Sequence, residues 1–111
     1  MEIYFITRKM SKTFNSERSL VKEYGVLASK IAQRLSELKA ASNLSLISHL
    51  PPPRLHQLEG QRKSQYAVDL NGSMRLIFTP ADEPLPVVSD GGIDKARVTE
   101  ILVIGVENYH G

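Results

Sequence analysis

Arg54 to Phe78, RLHQLEGQRKSQYAVDLNGSMRLIF, decides the fold, read together with the tail ILVIGVENYHG at Ile101–Gly111. Tyr66, Val68 and Leu70 alternate with Ala67 and Asp69, the period of a half-buried strand. Asn71-Gly72 follows, and both residue types tolerate positive φ. A two-residue type I′ turn is therefore expected. Met74, Leu76 and Phe78 then alternate with Arg75 and Ile77. The pattern puts Arg75 on the face opposite Met74, Leu76 and Phe78, beside Ile77, and leaves its exposure open.

The stretch carries Arg54, Arg62, Lys63 and Arg75 against Glu59 and Asp69, and the tail brings Tyr109-His110 off an apolar run. Guanidinium forks match phosphate oxygens bidentately. Histidine exchanges protons near neutral pH. Guanidiniums, an imidazole and a phenol together suit work on a phosphodiester.

The composition sets the outer bounds. At 111 residues, one domain with one core is expected. Hydrophobic residues make up 41% and charged residues 23%, ordinary values for a globular chain. The longest apolar runs, such as Ile101–Val106, are too short to span a bilayer. No positive stretch followed by a long apolar one opens the chain, so no signal peptide is expected. There is no cysteine, which excludes disulfides and thiolate metal sites and fits a reducing compartment. A net charge of +2 means that a nucleic acid would be met by a local patch.

Outward from the hairpin, residues 2–6 read as a first strand. Thr7 to Ser16, with Arg8, Lys9 and Lys12 and no acid, reads as a basic loop: a solvated surface, or an arm that contacts phosphates. Asn15 or Ser16 caps a helix from Glu17, and Gly25 ends or kinks it. A second helix is expected over residues 26–41, with Leu27, Ile31, Leu35 and Leu38 as its core stripe. One helical turn is expected around Leu44 and Ile47, before Pro51-Pro52-Pro53 imposes an extended connector. Arg54–Glu59 reads as a short strand. His49 reads as a loop residue, and His56 as structural or solvated. Pro80 to Val98 has the composition of a loop, ordered at most in part. Its acids lack calcium-loop spacing, so no metal is proposed. Thr99 to Val106 reads as a buried final strand.

Helices segregated from strands imply α+β. The expectation is an antiparallel sheet of about four strands with two N-terminal helices packed on one face, a single domain over residues 1–111.

These elements, in this order, resemble a known family. Arg-Leu-His-Gln-Leu-Glu-Gly-Gln-Arg at 54–62 leads to Tyr66-Ala-Val-Asp-Leu-Asn, then Met74-Arg-Leu-Ile-Phe78, then Glu-Asn-Tyr-His at 107–110. The helix Arg34-Leu35-Ser-Glu-Leu38-Lys-Ala-Ala41 adds to the likeness. The chain is similar to the HigB-type killer proteins of the RelE/ParE toxin superfamily over nearly its whole length. The resemblance implies a toxin of a bacterial type II toxin–antitoxin pair, acting in the cytoplasm. Such a toxin cuts mRNA on translating ribosomes without a cofactor. A HigA-like helix-turn-helix antitoxin silences it, and operator DNA is reached only through that antitoxin. Arg75 then matches the catalytic arginine, Tyr109 and His110 the terminal pair, and Gly60 and Arg62 the loop that meets RNA. Lys63 and Arg54 extend the RNA-binding set.

The chain departs from the pattern at Glu59, where many members carry lysine, and at Asn71, where some carry arginine. Pro80–Val98 is also longer than the usual turn. Two rival functions stand beside the nuclease. One is a ParE-like DNA gyrase inhibitor, against which the terminal Tyr-His argues. The other is a catalytically silent protein that binds its antitoxin, which Glu59 and Asn71 favour.

Overall fold

The computed structural model describes residues 1–109. Its elements run β1 (Glu2–Phe5), α1 (Arg8–Phe14), α2 (Glu17–Tyr24), α3 (Ala28–Ala40), β2 (His56–Gln57), β3 (Tyr66–Asp69), β4 (Met74–Pro80) and β5 (Glu100–Asn108). Short 3-10 turns interrupt the connections at Gly25–Leu27, Leu44–Leu46, Gly60–Arg62 and Lys95–Arg97. The chain is α+β, as expected, and the sheet corrects the finer expectation. It has five strands in the order β1-β5-β4-β3-β2 and is mixed. β1 runs parallel to β5, with Ile3 opposite Ile101 and Phe5 opposite Val103. The other neighbours are antiparallel.

The expected basic loop at 7–16 is also corrected. The Thr7 side chain accepts from the Met10 amide at 3.0 Å and starts α1. Phe14 anchors its far end in the core. The Phe14 ring meets Phe5 at 5.3 Å and Tyr24 edge-on at 5.6 Å. Ser16 then caps α2 by accepting from the Ser19 amide. Gly25, with φ of +54°, ends α2 in a backbone region that suits glycine.

α3 buries Ala28, Ile31, Arg34 and Leu38, while Leu35 is half-buried. Arg34 is only 2% exposed. Its Nε donates to the Asp69 carbonyl at 2.8 Å, and its Nη1 pairs with Glu37 at 3.1 Å. A buried charge is tolerable when its donors are met in this way.

The helices cover one face of the sheet. Phe14, Leu20, Ile31, Leu38 and Leu44 pack there against Tyr66, Val68, Leu76, Phe78, Ile101 and Val103. Among the described residues, the opposite face carries no α-helix. Leu58, Ala67 and Ile77 form a smaller buried cluster on it, flanked by Ile104 and Tyr109. β3 and β4 are therefore buried on both faces across residues 66–68 and 75–78, where alternation alone implied half-burial. β5 carries a bulge. Ile77 faces Gly105 while Phe78 faces Val103, so Ile104 is the extra residue. Ile104 packs on the helix-free face and Val106 on the helix face. The bulge thus puts Glu107 on the helix-free side, directly across from Arg75.

Three local expectations change. The β3–β4 connection is a three-residue loop, Asn71–Gly72–Ser73, because the Leu70 amide donates to Met74 and the Met74 amide to Asn71. Gly72 has φ of +58°, and Asn71 is outside that region. The strand expected over Arg54–Glu59 shrinks to His56–Gln57, since Arg54 has φ of +47° and Gly60 opens a tight turn. Residues 81–99 are pinned by specific contacts. Asp82 accepts from the Thr99 amide, the Thr99 hydroxyl and the Glu100 amide. Val87 bridges Ile93, and Arg97 ties Asp94 to the Val87 carbonyl. Among the described residues, no helix is long and apolar enough to cross a membrane.

Candidate functional site

The helix-free face of the sheet gathers most of the chemistry. Directly opposed residues share a face, so His56, Ala67 and Ile77 form one row across it, and Asp69, Arg75 and Glu107 the next.

Asp69 is the node of the second row. Its carboxylate takes Arg54 Nε at 2.7 Å on Oδ2, and Arg75 Nε lies 3.0 Å from Oδ1. Its backbone carbonyl accepts from Arg34, which reaches it from α3. Arg75 is 8% exposed, and its Nη1 donates to the Gly72 and Met74 carbonyls at 2.7 and 3.0 Å. The Arg75–Asp69 contact is an ion pair without hydrogen-bond alignment: Nε and Oδ1 are both buried, and neither has a hydrogen-bond partner among the described residues.

Arg54 reaches this point from the end of the proline connector. Its left-handed backbone is held on every side. The Arg54 amide donates to Leu50, the Asp69 amide donates to Pro53, and the Arg54 carbonyl faces His56 Nδ1 at 2.8 Å. A carbonyl only accepts, so Nδ1 carries a proton and donates, and in the neutral ring the acceptor lone pair is then on Nε2. Nε2 is buried and meets no partner among the described residues.

Arg62 closes the other end of the face. It clamps Glu107 with two bonds of 2.9 and 2.8 Å and donates from Nε to Gln65. Its guanidinium lies 5.8 Å from the Tyr109 ring centroid. Tyr109 is tethered through its amide to the Ser73 carbonyl at 2.9 Å. The structure thus brings Arg54, Arg75, Arg62 and Tyr109 to one sheet face. Lys63 stands apart, exposed in the turn before β3, with no ion pair among the described residues. His110 lies outside the described residues.

Two features escaped the sequence reading. One is His56, set aside there as structural or solvated. Its position two residues after Arg54 and two before the buried Leu58 was the available signal. The other is charge compensation. Three guanidiniums, of Arg54, Arg62 and Arg75, meet two carboxylates, of Asp69 and Glu107. The patch is far less cationic than its arginine content suggests. Other cations collect elsewhere: Arg8, Lys9, Lys12, Arg18 and Lys22 of α1 and α2 are exposed and enter no ion pair among the described residues.

The Arg62 fork holds the Glu107 carboxyl below the usual glutamate range, overcoming the opposing effect of burial. A depressed folded pKa means stability that is present above the unfolded value and lost as pH falls through the folded one. Wild type is therefore expected to lose thermal stability as pH drops below about 4.3, the ordinary glutamate value. Asp82 adds to the loss: burial raises its pKa, but the Thr99 and Glu100 donors outweigh that and lower it. Glu107→Gln removes one contributor, so its melting temperature should fall less steeply with acid. Parallel acid slopes for the two proteins would contradict this.

No protein-family model matches the chain, and no curated protein sequence matches it.

Proposed function

We propose that the protein is the toxin of a bacterial toxin–antitoxin pair: a cytoplasmic endoribonuclease that cuts mRNA on translating ribosomes and is silenced by a HigA-like helix-turn-helix antitoxin. The supporting observation is that His56, Arg54, Arg75, Arg62 and Tyr109 share one helix-free sheet face. That face combines a proton acceptor, guanidinium forks and an aromatic ring, the groups that phosphodiester cleavage uses.

The reaction is attack of a ribose 2′-OH on the adjacent phosphate. The 2′-oxygen–phosphorus bond forms and the bond to the 5′-oxygen breaks, giving a 2′,3′-cyclic phosphate and a 5′-hydroxyl. His56 Nε2, buried in the free protein, takes the 2′ proton once the docking RNA uncovers it. Arg75, with Arg54, faces the charge that builds on the phosphate. Tyr109, with Arg62 over its ring, stacks a base. His110 returns a proton to the leaving oxygen, a role that rests on the sequence resemblance alone. The ribosome supplies the alignment of the RNA that this small face lacks.

The test maps cuts by primer extension on translating ribosomes, for wild type, Arg75→Ala and Arg62→Ala. Wild type should cut. Arg75→Ala should cut about 10²–10³-fold more slowly, the usual effect of removing a donor to developing charge. Arg62→Ala should weaken capture more than the chemical step. Cuts at the wild-type rate in both variants would move the site elsewhere.

A second reading has its own support. Arg75 is nearly buried and occupied by Asp69, a closed arrangement suited to a catalytically silent protein that only binds its antitoxin. Intact mRNA with folded, antitoxin-free wild type would select it.

A further inference from the structure

We propose that Arg54 and Arg75 form a binding site for a phosphate group, and that the Asp69 carboxylate is the resident anion a phosphate displaces. The identity of the phosphate as part of an RNA chain rests on the nuclease reading; the anion site does not.

The argument starts from convergence. Arg54 comes from the connector before β2 and Arg75 from β4, and both guanidiniums end on one carboxylate, at 2.7 and 3.0 Å. The site they frame is built. Arg75 is nine-tenths buried, and its Nη1 is fixed by two carbonyls. Arg54 is held in a backbone conformation unusual for a non-glycine residue, a kind of strain that collects at ligand sites.

The occupant fits the site imperfectly. The Arg54 contact is an aligned hydrogen bond. The Arg75 contact is not, and it leaves a buried Nε–H and a buried Oδ1 unsatisfied. The Asp69 carboxylate aligns with Arg54 and leaves the Arg75 Nε–H without an aligned acceptor. A phosphate offers tetrahedrally placed oxygens and suits guanidinium forks in pairs.

The displacement needs only a side-chain rotation. The Asp69 backbone is anchored through its amide to Pro53 and through its carbonyl to Arg34. The carboxylate alone can swing out, toward the side where Asp69 retains some exposure. Like charge makes the exchange competitive. In the resting protein Asp69 holds the site closed, and a phosphate enters where it outcompetes that carboxylate.

The test uses purified full-length protein with inorganic phosphate, against chloride at matched ionic strength. Asp69→Asn and Asp69→Ser both remove the resident charge, the second with more room. Each should melt below wild type in chloride and regain stability in phosphate, because a ligand that binds only the folded state raises its stability. Phosphate affinity by calorimetry should rise at least about tenfold over wild type, since a nearby like charge has been removed. Arg54→Ala added to Asp69→Asn should abolish the gain. A folded Asp69→Asn that responds alike to phosphate and chloride overturns the proposal. If neither variant folds, the Arg75 Nε–H resonance of wild type decides. A phosphate-specific shift supports the site, and a resonance indifferent to phosphate refutes it. A non-cleavable 2′-deoxy dinucleotide separates the sources. Binding of both ligands supports the site as an RNA phosphate site. Binding of inorganic phosphate alone supports the anion site while removing its link to RNA cleavage.

Discussion

His56→Gln is expected to cut mRNA about 10²–10⁴-fold more slowly than wild type, the usual range for loss of a general base. Glutamine is close in size and keeps an amide N–H that can donate to the Arg54 carbonyl, the bond now made by Nδ1. It has no basic nitrogen where Nε2 stands. The substitution therefore separates chemistry from support. The loss should fall on the rate of cutting by ribosome-bound protein, with ribosome affinity and melting temperature close to wild type. His56→Ala, which also removes the donor to Arg54, should lose some stability besides. Full cutting by a folded His56→Gln would leave His56 as a prop for the strained Arg54 backbone and nothing more. The measurement is single-turnover cleavage on programmed ribosomes, read beside a binding titration.

Phe78→Ala is expected to lower the unfolding free energy by about 3–5 kcal/mol, the range for deleting a buried phenylalanine ring. Phe78 is fully buried, and its ring lies near-parallel to Tyr66 at 6.2 Å between centroids. It sits on β4, between β3 and β5, beside the β5 bulge. The hole would lie between the sheet and the helices, where Val68, Leu76 and Val103 are themselves fully buried. Domains of this size have about 5–15 kcal/mol in all, so the variant should sit near the edge of folding. Each kcal/mol corresponds to about 4–8 °C in melting temperature. Val26→Ala is the control. Val26 is 89% exposed, and its loss should stay within about 0.5 kcal/mol. Urea unfolding of the two variants beside wild type settles the comparison. A Phe78→Ala cost no larger than the control would mean that β4 is not the centre of the core.

Both predictions depend on the two faces of β4, and only one of those faces was legible in advance. Alternation at Met74, Leu76 and Phe78 marked the helix side. On the other side, Arg75 and Ile77 are buried by residues from β3, β5 and the segment around Leu58. The α1 helix was hidden for a related reason. Its exposed residues Arg8, Lys9 and Lys12 give the stretch a loop-like composition, while Met10 and Phe14, one helical turn apart, do the packing.

The sequence by itself determined the α+β class, the β3–β4 hairpin, the Ser16 cap of α2, Ile31 and Leu38 as core positions of α3, and the set of arginines at the candidate site. Each is a local property, written in side-chain period or in residues that tolerate a turn. Only the tertiary structure decided that β1 lies parallel to β5, that Arg34 is buried against the Asp69 carbonyl, and that His56 joins the arginine face. It also decided that Asp69 and Glu107 offset much of the positive charge of that face. The physical reason is range. Strand pairing and charge compensation are interactions between residues far apart in the chain, and their energies depend on distance and burial, which no local spacing records.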